Sequence, residues 1–163
     1  MTSSRVVRAL AEYAAHGWPA RPGPGGVALQ ASQFDLVEID SPVGAIIHHR
    51  LLTRVPTATI RPPWWSMLLG PASVADRMRW VFVFAPGFLD PDQVARDGGR
   101  LHHGPDAWVP APPGRTPDGL TVGWVVPPSH AHWHPYRPDG VFDSLGWLRG
   151  HLPRVTRNVR ATP

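Results

Sequence analysis

Apolar side chains at Val6, Leu10, Tyr13 and Ala14 return at steps of three and four behind Ser3 and Ser4, and Gly17 follows. That spacing lines one face of a helix, and a serine hydroxyl can accept from the first unpaired N–H groups, so a helix is predicted over residues 4–16. The stretch Trp18 to Gly26 (WPARPGPGG) lacks the N–H donors that a helix or a central strand requires. Val27–Gln30 and Phe34–Asp40 then read as two short strands. Ser41-Pro42 sets a capping residue before a proline at the first helical position, and Val43, Ile46, Ile47 and Leu51 give a second helix, to about Thr53, its apolar face. Thr57–Ile60 and Ser66–Leu69 are expected as strands on either side of Pro62-Pro63-Trp64-Trp65. The segment Arg79–Ala85 (RWVFVFA) is apolar almost without interruption and stops at Pro86-Gly87, which predicts a central strand buried on both faces.

Asp90-Pro91 opens a short helix to Arg96, and Arg100–His103, Ala107–Val109 and Thr121–Val126 follow as strands. A last helix is expected over Phe142–His151. No internal repeat or domain-scale linker appears, so residues 1–152 are expected to form a single domain and residues 153–163 a loose arginine-bearing tail. This order predicts an α+β fold, with short helices packed on a small mixed or antiparallel sheet.

Composition changes that picture little. Of 163 residues, 42% are hydrophobic and 17% charged, which excludes the signature of a disordered chain, while 21 Pro and 16 Gly predict stiff connections. No apolar run reaches the roughly 18 residues of a membrane span, and the amphipathic N-terminus is not a signal peptide, so a soluble cytoplasmic protein without a membrane partner is expected. Zero cysteine excludes disulfides, thiolate zinc sites and cysteine nucleophiles. The net charge is +4 and no lysine is present, so every fixed cation is an arginine. Arginine suits bidentate phosphate contacts, although a GC-rich genome produces the same bias without any function.

Candidate chemistry concentrates in two places. Glu38 and Asp40 stand two apart on a strand, on one face and about 6.5–7 Å apart, so both carboxylates can meet one hard cation such as Mg²⁺ or Mn²⁺. The alternative is a solvated Glu38 and an Asp40 that belongs to the start of the next helix. His130, His132 and His134 alternate, and on an extended segment two of them can chelate Zn²⁺; a solvated histidine-rich loop is the other reading. His48-His49 and His102-His103 are adjacent pairs whose members face different ways. Gly23-Pro24-Gly25-Gly26 carries no lysine and is not a phosphate loop, and no Gly-x-Ser-x-Gly elbow occurs. Trp64-Trp65, Trp108, Trp124 and Trp133 can stack bases, but most of the tryptophans are expected in the core or anchoring loops.

Taken in order, the motifs resemble a known family. Arg8 to Pro19 (RALAEYAAHGWP) is similar to the opening helix and turn of bifunctional DNA primase/polymerase domains, within the archaeo-eukaryotic primase superfamily. Val27-Ala28-Leu29-Gln30 and Leu36-Val37-Glu38-Ile39-Asp40 resemble that family's short strand and its strand ending in two acidic metal ligands, with Glu for the first Asp. Arg79 to Pro86 resembles the strand that usually bears a histidine, and Trp108 to Pro113 the aromatic strand with its Ala-Pro-Pro stop. The similarity covers roughly Arg8 to Val126 and implies a primase/polymerase-like (RRM-like) core. Two positions depart from the pattern: Trp80 stands where the family has its histidine, and Leu101 near its third acidic ligand.

The resemblance implies a shortened domain that binds a nucleotide or single-stranded nucleic acid, with template-directed synthesis reduced or lost. Glu38 and Asp40 would hold the metal, and Arg79 and Arg115 would meet phosphates. Three alternatives stand beside it. One is an active nucleotidyltransferase in which His102, His103 or Asp106 replaces the missing groups. Another is a repurposed small-molecule enzyme built on His130, His132 and His134, and the last is an interaction protein with an inactive cleft.

Overall fold

The computed structural model of the chain describes residues 3–63 and 78–137. Helix α1 (Ser4–Ala15) starts where expected, with the Ser3 hydroxyl accepting from the Val6 N–H. It ends ahead of Gly17, whose φ of +72° lies in the left-handed region that glycine enters without strain. The proline-rich run after it contains a strand, β1 (Ala20–Gly23), but at the sheet edge, where a missing N–H breaks no ladder. Gly23 to Gly26 turns it back as a hairpin into β2 (Gly26–Gln30).

The remaining elements follow as β3 (Asp35–Asp40), α2 (Val43–Leu51), β4 (Thr57–Arg61), β5 (Arg79–Phe84), α3 (Pro91–Arg96), β6 (Gly99–His102), β7 (Trp108–Arg115) and β8 (Thr121–Val126). A 3-10 turn, Pro128–Ala131, follows β8. The architecture is α+β, with a few short helices on one eight-stranded sheet in the order β1-β2-β7-β8-β4-β5-β3-β6. Every pairing between these eight strands is antiparallel, and Tyr136 adds an isolated parallel bridge to Phe84.

The sheet curls around α1. Val27, Leu29, Leu36, Ala58, Ile60, Val81, Val83, Val109, Ala111 and Val122, from six strands, meet Tyr13 and Trp18 in one concave core. The buried Tyr13 hydroxyl fastens the helix there, donating to the Pro112 carbonyl at 2.5 Å and accepting from Trp124 Nε1 at 3.0 Å. On the convex face of β3 and β5, Val37, Ile39, Trp80, Phe82 and Phe84 pack under Ile47 and Leu51 of α2 and Val94 of α3. Strand β5 therefore serves both cores, with Val81 and Val83 on one side and Trp80, Phe82 and Phe84 on the other, as its unbroken apolarity predicts. Each such fully buried side chain contributes about 1.5–3 kcal/mol relative to exposure.

Three local expectations are corrected. Ser41 does not cap α2: Pro42 occupies the N-cap position without a side-chain bond, and the Ser41 N–H donates to Met78 as an extension of the β3–β5 pairing. The helix also stops at Leu51, where Leu52 takes φ +49° and a 3-10 turn runs to Arg54. Pro112-Pro113 does not stop β7, which runs on to Arg115. Ala111 pairs with Val27 and Gly114 with Gly26, so the two prolines fall at a bulge where no ladder N–H is needed. The strand expected at Ser66–Leu69, the helix at Phe142–His151 and the tail from 153 lie outside the described residues.

Candidate functional site

Alternation along β3 decides what faces what. Val37 and Ile39 enter the core under α2 and α3, whereas Leu36 belongs to the concave core and Glu38 and Asp40 continue its side towards the strand end. The two carboxylates thus share a face. Register brings their neighbours: Arg79 of β5 lies opposite Asp40, while Arg100 and His102 of β6 lie opposite Glu38 and Leu36.

Glu38 sits at the centre of this cluster, with only 11% of its side chain exposed. Its Oε1 accepts from Arg79 Nη1 at 2.5 Å, and its Oε2 lies 3.1 Å from His102 Nε2. An ionised carboxylate can only accept, so the Nε2 of His102 carries the proton in this contact. The hydrogen bond from His102 foremost, together with the Arg79 charge, holds the Glu38 carboxyl below the usual carboxylate range against the opposing effect of burial. Asp40 is exposed at the end of the strand, and Arg100 is exposed directly across from Glu38.

The donor set distinguishes a resident ion from one that arrives with a ligand. Both Glu38 oxygens are engaged, and no group of three His, Cys, Asp or Glu side chains converges among the described residues. Magnesium keeps several waters and commonly takes one or two carboxylates plus substrate phosphates. The Asp40–Glu38 pair fits that mode of binding and not an all-protein cage.

The other predicted site residues are scattered. His102 joins Glu38, but His103 is exposed just beyond β6 and lies near Asp35. Asp35 is itself buried and accepts from the Gly87 N–H at 2.9 Å. Burial pushes its carboxyl up, with the Gly87 hydrogen bond and the His103 charge opposing. Asp106 is exposed in the turn before β7 and makes no hydrogen bond or ion pair with the Glu38 cluster. Arg79 is in the cluster, whereas Arg115 ends β7, four strands from β3 in the sheet order and on the opposite face.

His130, His132 and His134 are all exposed, and they do not alternate along an extended segment. The backbone forms a 3-10 turn to Ala131, and His132 and Trp133 then take φ of +50° and +62°. Trp133 turns inward, stacking on His16 at 4.0 Å and accepting from Trp18 Nε1 through its carbonyl at 2.9 Å. Trp124 is likewise tied to Tyr13, so both indoles anchor structure. Trp64-Trp65 lies outside the described residues. Sequence reasoning missed Arg100, because only the pairing register of β6 brings it opposite Glu38. No protein-family model, curated protein or solved structure matches the chain.

Proposed function

We propose that the chain is a primase/polymerase-like domain that binds a nucleotide, or single-stranded nucleic acid, on the Glu38–Asp40 face, with template-directed synthesis reduced or lost. One observation carries this reading. Among the described residues, β3-α2-β4-β5-α3-β6 follow one another as a β-α-β-β-α-β unit with spatial strand order β4-β5-β3-β6, and the acidic pair sits on its first strand, away from α2 and α3. That topology agrees with the RRM-like core that the family resemblance implies, and in such units the face opposite the two helices is the one that meets a ligand. Here α1 packs on part of that face, over Leu36, Val81 and Val83, and Asp40 is exposed at the strand end.

The chemistry of the cluster supports the same reading. A Mg²⁺ or Mn²⁺ ion carried in by a triphosphate would neutralise phosphate charge between Asp40 and Glu38. Arg79 would exchange its bond to Glu38 for a phosphate oxygen, which a guanidinium accommodates without losing its charge. His102 would keep Glu38 ionised and oriented. Reduced synthesis is inferred because Trp80 and Leu101, at the positions where the family has its histidine and third acidic ligand, are apolar and lie on the α2/α3 side of the sheet, away from Glu38 and Asp40.

Calorimetric titration of a nucleoside triphosphate with Mn²⁺ tests the proposal. The expected result is binding that weakens with salt and by about tenfold or more in Asp40→Asn, the size of a lost charge-assisted contact. No binding at low salt, with or without the metal, overturns it. The contact between His102 and Glu38 favours a second reading, in which His102 restores an active nucleotidyltransferase. Primer extension with Mn²⁺ that disappears in Asp40→Asn would establish that activity.

A further inference from the structure

A second candidate site lies on the other face of the sheet, along β1, β2 and β7. Arg21, Ala28 and Pro110 form one cross-strand row, and Trp108 stands opposite Gln30 in the next. Val27, Leu29, Val109 and Ala111 point the other way into the concave core, so this row faces outwards. The Arg21 guanidinium lies 3.7 Å from the centre of the Trp108 ring. Together with Pro22, Pro24, Pro110, Pro117 and Arg115 these residues line a pocket of about 310 Å³.

Four properties of this pocket point to one ligand chemistry. Its only charged lining groups are the cations Arg21 and Arg115, and neither pairs with a carboxylate among the described residues. An arginine held over an indole ring can still present N–H groups to a bidentate oxyanion. The proline walls and the Trp108 ring supply rigid apolar surface, which reduces the ordering cost of binding. A volume near 300 Å³ lies at the lower end of small-molecule sites.

We infer that this pocket binds a nucleoside phosphate, with the phosphate between Arg21 and Arg115 and the sugar and base against the proline and Trp108 walls. The backbone helps to fix Arg115 there: its N–H donates to the Gly25 carbonyl at 2.8 Å, joining the end of β7 to the β1–β2 turn. The site is separate from the Glu38 cluster and does not depend on the function proposed for it.

The test is carried out in excess chelator, where the Glu38–Asp40 face receives no metal–nucleotide complex, and on full-length protein. Adenosine 5′-monophosphate, inorganic phosphate and unphosphorylated adenosine are titrated by calorimetry, and a 3′-labelled oligothymidylate by fluorescence polarisation. The expected result is binding of the monophosphate, the oligonucleotide or both, weakened about tenfold or more by Arg115→Gln and by Arg21→Gln. Monophosphate binding assigns the pocket to free nucleotides, and oligonucleotide binding alone assigns it to a strand. Arg115→Gln alters an exposed side chain, and its thermal melt establishes that the fold is intact. Absence of binding by the wild type overturns the inference, as does affinity unchanged in both arginine variants, or adenosine binding as tightly as its phosphate.

Discussion

Glu38 and Asp35 occupy the same strand, are both largely buried and respond to pH in opposite directions. Glu38 is held below the ordinary carboxylate value of 4.5 by His102 first and Arg79 second. Its contribution to stability is therefore complete above that value and is lost as pH falls through the lower, folded-state value. Glu38→Gln is expected to cost about 2 kcal/mol near neutrality, the scale of hydrogen bonds to a charged group. Urea midpoints of wild type and variant should converge as the pH falls through the folded-state value, and a constant gap would contradict the assignment. Burial drives Asp35 the other way, above 3.8, so its stabilising form is the protonated one, and that stabilisation fades as pH rises through the folded value. Asp35→Asn keeps an acceptor for the Gly87 amide and removes the charge, so it should leave neutral stability unchanged or higher. Asp35→Ala removes the acceptor and should cost about 1–2 kcal/mol. Chemical denaturation at neutral pH distinguishes the pair.

At the scale of elements, α2 depends on a close approach that no helix propensity reveals. A Cβ on Gly44 would stand 2.4 Å from Trp80 Cδ1 and 2.5 Å from Cγ, and the same indole stacks on His48 from the next turn. Gly44→Ala gains up to about 1 kcal/mol in propensity, but overpacking against a confined ring costs about 1–3 kcal/mol or more, so the net expectation is a lower melting temperature. A melting temperature at or above wild type would show that Trp80 has room to move. This contact also marks how far the sequence could be read. The period of three and four in α1, the apolar run of β5 and the Asp90 cap before Pro91 are local signals, and those elements formed where expected. The cap at Ser41 and the end of β7 depended on partners far along the chain, Met78 in one case and the bulge at Gly26 and Val27 in the other. The acidic pair was legible because period two is local, whereas Arg79 and His102 reach Glu38 only through strand register.

For the whole molecule, one sheet carries two cores on opposite faces, and β5 belongs to both. Damage to either core should therefore weaken a single unfolding transition instead of splitting it. Leu29 in the concave core and Ile47 under α2 are 3% and 1% exposed. Leu29→Ala and Ile47→Ala are each expected to cost about 2–4 kcal/mol. With no shared contacts, their effects should add to within about 0.5 kcal/mol in the double variant. Two separate transitions, by calorimetry or tryptophan fluorescence, would show that the halves fold independently.

Among the described residues the sheet ends at β1 and β6, each four residues long. Pro22 interrupts the donors of the first, and the exposed Arg100 puts a charge on the second. Neither margin offers a foreign chain the long, flat row of donors and acceptors on which fibrils grow. The prolines that make the early sequence so irregular thus also act as a barrier to templated polymerisation, in a protein whose interior strands are rich in the residues that favour it.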